Sequence, residues 1–219
     1  MTTEYQQYQH YLQQLPTSLP SYDSQNSMTP YILEERELRV TQMDIFSRMM
    51  MERIIWVAGP ITERTGYVLQ AQLMFLDNLD SESDITLHID SPGGSVKAGL
   101  GIVDVMDYIK CDIRTVNTGM AASMGSVLLA AGTKGKRNSL RYSKTMLHQS
   151  SGGAIGNIQD ARITMDEWEK TNKILFEILG RCCGKTAKRV EKDAHRDLWL
   201  DATAACEYGI IDEIIEKRV

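Results

Sequence analysis

Short apolar runs that end in small or glycine-rich turns alternate with helical patterns through most of the chain. The predicted strands span residues 53–58, 84–89, 113–117 and 144–148, and the predicted helices span 62–77, the segment after Ser95 to about 109, the segment after Ser123 to about 131, and 158–180. Strands that alternate with helices build βαβ units, in which the strands lie parallel and the crossovers are right-handed. The pattern therefore predicts an α/β fold with a largely parallel sheet.

The first part of the chain differs in composition from the rest. Residues 1–27 are rich in Gln, Tyr, Ser and Pro and have no hydrophobic period, which predicts a disordered leader or propeptide. Residues 28–43 mix apolar and charged residues, and we expect them to form a flexible arm. The compact domain is predicted to cover residues 44–219.

Composition and charge narrow the class of protein. The net charge of −5 argues against binding driven by nucleic-acid phosphates, and no apolar run is long enough to span a membrane. No Lys or Arg precedes Glu34, so the basic start of a signal peptide is missing. The cysteines are Cys111, Cys182, Cys183 and Cys206. They lack zinc spacing, so we expect buried thiols, no metal site and a reducing cytoplasm.

One serine has surroundings typical of a nucleophile. Ser123 stands in the segment Gly119-Met-Ala-Ala-Ser-Met-Gly125, after an apolar run and before a helical pattern. A strand–serine–helix turn exposes the hydroxyl and directs the helix N-terminus at any negative charge that forms beside it. The small neighbours Ala122 and Gly125 leave room for a substrate backbone. Ser123 is therefore the best candidate nucleophile in the chain.

A serine hydroxyl needs a base within hydrogen-bond reach. His148 stands at the end of the next short predicted strand. Because neighbouring parallel strands end at the same edge of a sheet, His148 and Ser123 can meet there. His148 is therefore the candidate base, although a histidine at a strand end is also a common structural residue.

A third group has to orient the imidazole and stabilise it once it is charged. Asp193 and Asp197 both have the right chemistry, and spacing alone does not choose between them. Asp90 is a weaker candidate because it opens a turn, where capping of the following helix is its expected role. His195 lies in the charged segment 191–197 and is expected to be solvated.

Two glycine-rich segments add to the candidate site. Gly93 and Gly94 provide flexible backbone before a helix, and the amide of Met124 is the natural second donor for an oxyanion. No Gly-Lys-Ser/Thr follows the diglycine, which excludes a phosphate-binding P-loop. The glycine-rich segment 152–156 can present an unpaired edge to an incoming peptide.

Seven segments together resemble the family of Clp protease proteolytic subunits, which are self-compartmentalising serine peptidases. The segments are Asp44-Ile-Phe-Ser-Arg48, Glu52-Arg-Ile-Ile55, Ser91-Pro-Gly-Gly-Ser95, Gly119-Met-Ala-Ala-Ser-Met-Gly125, Ala130-Ala-Gly132, Met146-Leu-His-Gln149 and Glu207-Tyr-Gly-Ile-Ile-Asp212. Their order and spacing match the family from about Met28 to the C-terminus. The resemblance implies a ClpP/crotonase-like spiral of ββα units with a protruding handle helix at 158–180.

The resemblance also implies the roles of individual residues. The family's nucleophile falls on Ser123, its base on His148 and its orienting acid on Asp197. Its two oxyanion donors fall on the backbone amides of Gly94 and Met124. The chain is thus expected to cleave unfolded polypeptides through an acyl-enzyme on Ser123.

An assembly and partners follow from the same resemblance. Heptameric rings stack in pairs into a tetradecameric barrel that encloses the active sites, and a hexameric AAA+ ATPase unfolds and feeds polypeptides for protein quality control. ATP is used by that partner, so this chain is expected to need no cofactor. The handle helix interdigitates between rings, the strand with Gly152 and Gly153 pairs with substrate, and residues 28–43 form axial pore loops.

The chain departs from the family's pattern at several positions. Ser150 stands where Pro commonly follows His-Gln. Thr86 and His88 stand at two positions of the ATPase-docking cleft that are often aromatic, which indicates a different choice of partner. The expected residues of that cleft are Met49, His88, Tyr108 and Ile215, and apolar contact is expected from Met49, Tyr108 and Ile215.

Three other classes of protein are alternatives. A crotonase-type acyl-CoA hydratase or isomerase shares the spiral architecture and a two-amide oxyanion hole, but it does not need a serine–histidine pair. A non-catalytic ring subunit would have lost members of the triad, and this chain keeps all three. An α/β-hydrolase is disfavoured because its order is Ser, acid, His, whereas the order here is Ser, His, acid.

Overall fold

The computed structural model describes residues 31–36, 39–150 and 157–217, and these residues fall in two compact units. The first unit ends at Ser47 and contains an antiparallel hairpin of β1 (Tyr31–Arg36) and β2 (Arg39–Asp44). The hairpin begins within the arm expected at 28–43 and ends one residue beyond it, at Asp44. The leader expected at 1–27 lies outside the described residues. Helix α1 (Ile45–Met51) follows β2 in the sequence, and the second unit begins at Arg48.

The second unit is built around a mostly parallel sheet. Five parallel strands lie side by side in the order β3 (Ile54–Ala58), β4 (Ile85–Ser91), β5 (Ile113–Ala122), β6 (Arg137–Leu140) and β9 (Glu213–Ile215). Strand β7 (Lys144–Leu147) lies parallel to the end of β5, and β8 (Leu198–Asp201) lies antiparallel to β7. The helices are α2 (Glu63–Leu79), α3 (Val96–Tyr108), α4 (Met124–Ala130), α5 (Ile158–Cys183), α6 (Ala187–Asp193) and α7 (Ala202–Tyr208). The predicted α/β class with a largely parallel sheet is confirmed.

Helices α2 and α3 begin at side-chain caps and cover one face of the sheet. The Thr62 hydroxyl accepts a hydrogen bond from the Thr65 amide, and the Ser95 hydroxyl accepts one from the Ala98 amide. Each of these bonds satisfies an N–H that has no acceptor inside the helix. A Cβ atom added to Gly66 would lie 2.9 Å from the Cβ of Ala98, so only glycine allows the two helices to approach this closely. The apolar side chains between helices and sheet form one core.

Strand β5 extends five residues beyond its predicted end at Asn117. It pairs with β6 over residues 115–117 and then with β7 over residues 120–122. The buried Asn117 side chain bridges the change of partner, because its Nδ2 atom donates to the Lys144 carbonyl at 2.9 Å. The longer strand carries Ser123 to the edge of the sheet where β7 ends.

Helix α5 is divided between two environments. It has 26 residues, which corresponds to a length of about 39 Å. Its C-terminal part packs on the core through Leu175, Phe176 and Leu179. Its N-terminal part exposes apolar side chains, including Ile158 and Ile163, so the apolar stripe predicted for residues 158–180 is buried only over its second half.

Candidate active site

Ser123 occupies a strained turn between β5 and α4. Its backbone has φ 54° and ψ −123°, a conformation that is costly for a residue with a side chain and is typical of functional turns. Two hydrogen bonds hold the turn. The Ser123 amide donates to the Met146 carbonyl at 2.9 Å, and the Ser126 hydroxyl donates to the Ser123 carbonyl at 2.6 Å. The hydroxyl of Ser123 is thereby held at the end of the strand.

The structure brings His148 to this hydroxyl. Strands β5 and β7 are paired in parallel with Ala122 opposite Met146, so the segments that follow them leave the sheet at the same edge. The Nε2 atom of His148 lies 2.8 Å from the Oγ atom of Ser123. This is the distance of a hydrogen bond between an alcohol and the base that deprotonates it.

Asp197 reaches the other nitrogen of the same ring. Strand β8 runs antiparallel to β7 with Leu198 opposite Leu147, which sets Asp197 beside His148. The Oδ1 atom of Asp197 lies 3.6 Å from the Nδ1 atom of His148, within the range of an ion pair. The carboxylate is mostly exposed. Spacing had left Asp193 and Asp197 as equal candidates, and the register of β8 favours Asp197.

Asp193 is engaged elsewhere. Its Oδ2 atom accepts hydrogen bonds from Arg189 Nε at 2.8 Å and from the Tyr208 hydroxyl at 3.2 Å. The hydrogen bond from Arg189 lowers the pKa of the Asp193 carboxyl below its ordinary value. Asp193 therefore stabilises the packing of the C-terminal helices. His195 is exposed, as expected.

The expected capping role of Asp90 is wrong. Helix α3 is capped by Ser95, because the Pro-Gly-Gly turn separates Asp90 from the first turn of the helix. The Oδ1 atom of Asp90 accepts instead from the Met120 amide at 3.0 Å, beside the bulge between β4 and β5. The same carboxylate explains the glycine at 119, where an added Cβ would lie 2.6 Å from Oδ1.

The diglycine turn packs directly against the Ser123 turn. A Cβ atom on Gly93 would lie 2.6 Å from the Cβ of Ser123 and 2.9 Å from the amide nitrogen of Met124. Gly94 has φ 151°, and a Cβ there would lie 2.2 Å from the Ile61 carbonyl oxygen. Met124 is the first residue of α4, where an N–H has no acceptor within the helix. The two turns that carry the candidate oxyanion donors are therefore in contact.

An apolar pocket opens beside Ser123 and His148. Its further lining comes from α3, α4, the end of β7 and the inner face of α5, and comprises Val96, Met124, Ser126, Val127, Leu147, Ser150, Leu175, Phe176 and Leu179. The sequence reasoning missed this pocket, although Leu175 and Leu179 belong to the stripe predicted on α5. The pocket places an apolar surface next to the reacting group.

The remaining predicted residues lie away from this pocket or outside the described residues. His88 is half-buried on β4 and stacks on Trp56 with ring centroids 4.9 Å apart, and burial lowers its pKa. Met49 lies on α1, Tyr108 is exposed at the end of α3, and Ile215 ends β9. The expected substrate strand with Gly152 and Gly153 is not among the described residues.

Two further features concern metal binding and membrane insertion. Over residues 31–36, 39–150 and 157–217, no group of three or more His, Cys, Asp or Glu side chains could hold a metal ion. Among the helices of these same residues, none is both long and apolar enough to cross a lipid bilayer.

The family model and the similar proteins all point to one family. The model of the Clp protease family matches residues 35–218. An ATP-dependent Clp protease proteolytic subunit of Porphyromonas gingivalis is 52% identical over 191 residues, which cover 87% of this chain and 86% of that protein. Proteins of the same name from Bacteroides fragilis and Bacteroides thetaiotaomicron are 51% and 49% identical to this chain. The aligned residues make up 87% of this chain in both cases, and 92% and 87% of those two proteins.

Proposed function

Because the chain belongs to the Clp protease family and is a serine peptidase, we propose that it cleaves peptide bonds through Ser123, His148 and Asp197. The observation that carries the proposal is the 2.8 Å contact between Ser123 Oγ and His148 Nε2 at the shared edge of β5 and β7. An alcohol in a strained turn, hydrogen-bonded to an imidazole, is the arrangement of an activated nucleophile.

The catalytic cycle moves protons between Ser123, His148 and the reacting groups. His148 Nε2 takes the proton as Ser123 Oγ attacks the carbonyl carbon of the scissile bond. The imidazolium then gives that proton to the leaving amine, and an acyl-enzyme remains on Ser123. Water attacks this ester while His148 Nε2 takes a proton from the water, and the imidazolium then returns that proton to Ser123 Oγ as the ester bond breaks and the acid product leaves. Asp197 stabilises the imidazolium and keeps its Nδ1–H directed away from Ser123.

The amides of Gly94 and Met124 are the proposed donors to the tetrahedral oxygen. The diglycine turn and the Ser123 turn are in contact, so two N–H groups from different βα units can converge on one point. Donors held in place before the reaction lower the barrier because they need no reorganisation when the charge forms. Loss of one such donor costs roughly 10²–10³ in kcat in other serine enzymes.

The pocket beside the nucleophile indicates a preference among substrates. Leu175, Phe176 and Leu179 form an apolar wall next to Ser123 and His148. Burial of an apolar substrate side chain there contributes about 25 cal/mol per Å² of buried apolar surface. We therefore expect faster cleavage after apolar residues than after charged ones.

Assembly and partners complete the proposal. The relatives named above are subunits of an ATP-dependent protease, so we propose that this chain works with an AAA+ ATPase that consumes the ATP. We further propose two stacked heptameric rings in the cytoplasm, with residues 1–27 as a leader, 28–43 as the axial arm and 44–219 as the peptidase domain. Met49, His88, Tyr108 and Ile215 are the proposed cleft for the ATPase.

Hydrolysis of a fluorogenic peptide with an apolar residue before the scissile bond tests the reaction. We expect Ser123→Ala and His148→Ala to abolish turnover and to leave the assembly intact, while His195→Ala, which changes an exposed histidine, keeps wild-type turnover. Mass-spectrometric mapping of a fluorophosphonate adduct should find Ser123. Turnover that survives Ser123→Ala, with a peptide or an acyl-CoA, would end the assignment.

A further inference from the structure

Ser91 is a buried serine that the proposed catalytic cycle does not use. It is the last residue of β4 and has no exposed surface. Its hydroxyl donates to the Gly59 carbonyl at 2.7 Å and accepts from the Gly93 amide at 3.1 Å. One hydroxyl thus joins the end of β3 to the diglycine turn.

A second set of hydrogen bonds acts on the same turn. The Ile61 amide donates to the Gly93 carbonyl at 2.8 Å, and the Ser95 amide donates to the Ile61 carbonyl at 2.8 Å. Ile61 lies only two residues after Gly59, so Ser91 fixes the segment that supplies these bonds as well as the turn that receives them. Hydrogen bonds with Ser91 on one side and with Ile61 on the other therefore fix the conformation of the diglycine turn.

These bonds determine the direction of the Gly94 N–H. In a trans peptide the C=O of one residue and the N–H of the next point in opposite directions. Because the Gly93 carbonyl points to Ile61, the Gly94 N–H points away from Ile61. The Ser91 hydroxyl holds the preceding peptide group through the Gly93 N–H, so rotation about the two glycines is restricted at both ends.

Glycines need such a restraint more than other residues do. Gly93 has φ 90° and Gly94 has φ 151°, and residues without a Cβ atom move easily between conformations. The Ser123 turn packs against Gly93, so a change of φ or ψ there alters the distance from the Gly94 amide to the reacting oxygen. A displacement of about 1 Å in an active site can cost roughly 10²-fold in rate.

We infer that Ser91 is a positioning residue that directs the Gly94 amide at the tetrahedral oxygen by clamping Gly59 and Gly93 with one hydroxyl. The inference rests on the proposed function. Ser91 does not touch substrate, because it is completely buried behind the turn. The Gly94 amide belongs to the backbone and cannot be removed by a side-chain substitution, so substitution of Ser91 provides a way to test this donor.

The test compares Ser91→Ala with a matched buried serine. Ser139 is also completely buried, and its hydroxyl donates to the Leu140 carbonyl at 3.1 Å on β6. We expect Ser91→Ala to lower kcat for the fluorogenic peptide by roughly 10- to 100-fold with KM changed by less than about two-fold. Ser139→Ala should keep both constants near the wild-type values.

A tetrahedral inhibitor provides a readout that a purely structural role would not move. A peptide boronic acid bonds to Ser123 Oγ and directs a boron-bound oxygen at the oxyanion donors. We expect its Ki to rise in Ser91→Ala by about the factor by which kcat/KM falls, while the Ki of a non-covalent product peptide stays unchanged. Ser91→Cys keeps a weaker hydrogen-bonding group and should lie between Ala and wild type.

The outcomes separate this inference from the proposed function. If Ser123→Ala is inactive but Ser91→Ala keeps kcat within two-fold of wild type, or binds the boronic acid equally well, Ser91 has no positioning role. If Ser123→Ala remains active, the proposed function itself fails. Should Ser91→Ala not fold, Ser91→Cys decides, since a reduced kcat at constant KM supports the inference and a wild-type kcat overturns it.

Discussion

The Oδ1 atom of Asp197 and the Nδ1 atom of His148 lie 3.6 Å apart, which is longer than a hydrogen bond. The carboxylate side chain is 62% exposed, whereas the histidine side chain is 24% exposed. Water competes for an exposed carboxylate and weakens its attraction to the imidazolium. The acid is thus the least tightly held of the three proposed catalytic residues in the isolated chain.

Replacement of this acid should reduce catalysis without ending it. We expect Asp197→Asn to lower kcat by roughly 10- to 10³-fold, because the imidazolium loses its counter-charge while Ser123 and the backbone donors remain. Steady-state hydrolysis of the fluorogenic peptide measures the change. Asp193→Asn is the matched control and should keep wild-type kcat, since Asp193 binds Arg189 and Tyr208. The opposite pattern would assign the acid to Asp193.

A hydrogen bond between α5 and the segment after His148 should influence the rate. The Ser150 amide donates to Asn172 Oδ1 at 2.9 Å, one helical turn before Leu175. We expect Asn172→Leu to lower kcat by roughly two- to ten-fold, the worth of one hydrogen bond. In a Ser150→Pro background the same substitution should have no effect, because proline has no N–H to donate.

A double-mutant cycle isolates this bond from other effects of the two substitutions. Ser150→Ala keeps the N–H, so Asn172→Leu should retain its full effect in that background. Equal effects of Asn172→Leu in the Pro and Ala backgrounds would contradict a role for the bond. The measured quantity is kcat for the fluorogenic peptide in all six combinations of Ser, Ala or Pro at 150 with Asn or Leu at 172.

The alternation of strands and helices was sufficient to predict the sheet and the meeting of Ser123 with His148. Both residues follow parallel neighbouring strands, so local patterns already determine where their side chains meet. Asp197 was not distinguishable from Asp193 for a physical reason. Its position depends on β8, a short strand that pairs antiparallel with β7 although the whole of α5 separates the two strands in the sequence. No local period reports such a pairing.

Turn geometry limited the sequence reasoning in the same way. Asp90 had the chemistry of a helix cap, but Pro-Gly-Gly carries the chain past it before α3 begins. Strand β5 was predicted to end at Asn117, where a polar residue normally leaves the sheet. The buried Asn117 instead makes ladder-like bonds to β7. Each error concerns a polar residue whose partner is distant in the sequence.

The ion pair of Arg137 and Asp212 should make the free energy of unfolding depend on pH in the acidic range. Arg137 is almost completely buried, and its Nη2 and Nε atoms lie 2.6 and 2.8 Å from the Asp212 carboxylate. Burial alone raises the pKa of Asp212, but hydrogen bonds from Arg137 and Lys134 hold this pKa well below its ordinary value. The folded pKa is thus lower than the unfolded value of about 3.9, so the unfolded chain binds more protons between the two.

The stabilisation is therefore complete above about pH 5 and is lost as the pH falls toward the folded pKa. We expect the denaturation midpoint of the wild type to drop more steeply below about pH 5 than that of Asp212→Asn. At pH 7 this variant should be less stable by roughly 3–5 kcal/mol, because Arg137 is left buried without a counter-charge. Asp104→Asn, at an exposed position, should behave like the wild type. Parallel acid profiles for wild type and Asp212→Asn would contradict this account.

The exposed apolar side chains in the N-terminal part of α5 should hold copies of the chain together. Ile158 is 75% and Ile163 is 66% exposed, on the part of the helix that stands off the core. We expect Ile163→Asp to shift the native mass to smaller assemblies, because a charge in an apolar interface is costly to desolvate. Peptide turnover per subunit should fall with the mass, while the far-UV circular dichroism spectrum of the subunit stays that of the wild type. Asn78→Asp adds the same charge at an exposed polar position of α2, away from α5, and should change neither. One contradicting outcome is an Ile163→Asp protein that stays fully assembled and fully active. The other is a small species that turns over peptide at the wild-type rate per subunit. Either would show that these side chains do not couple assembly to activity.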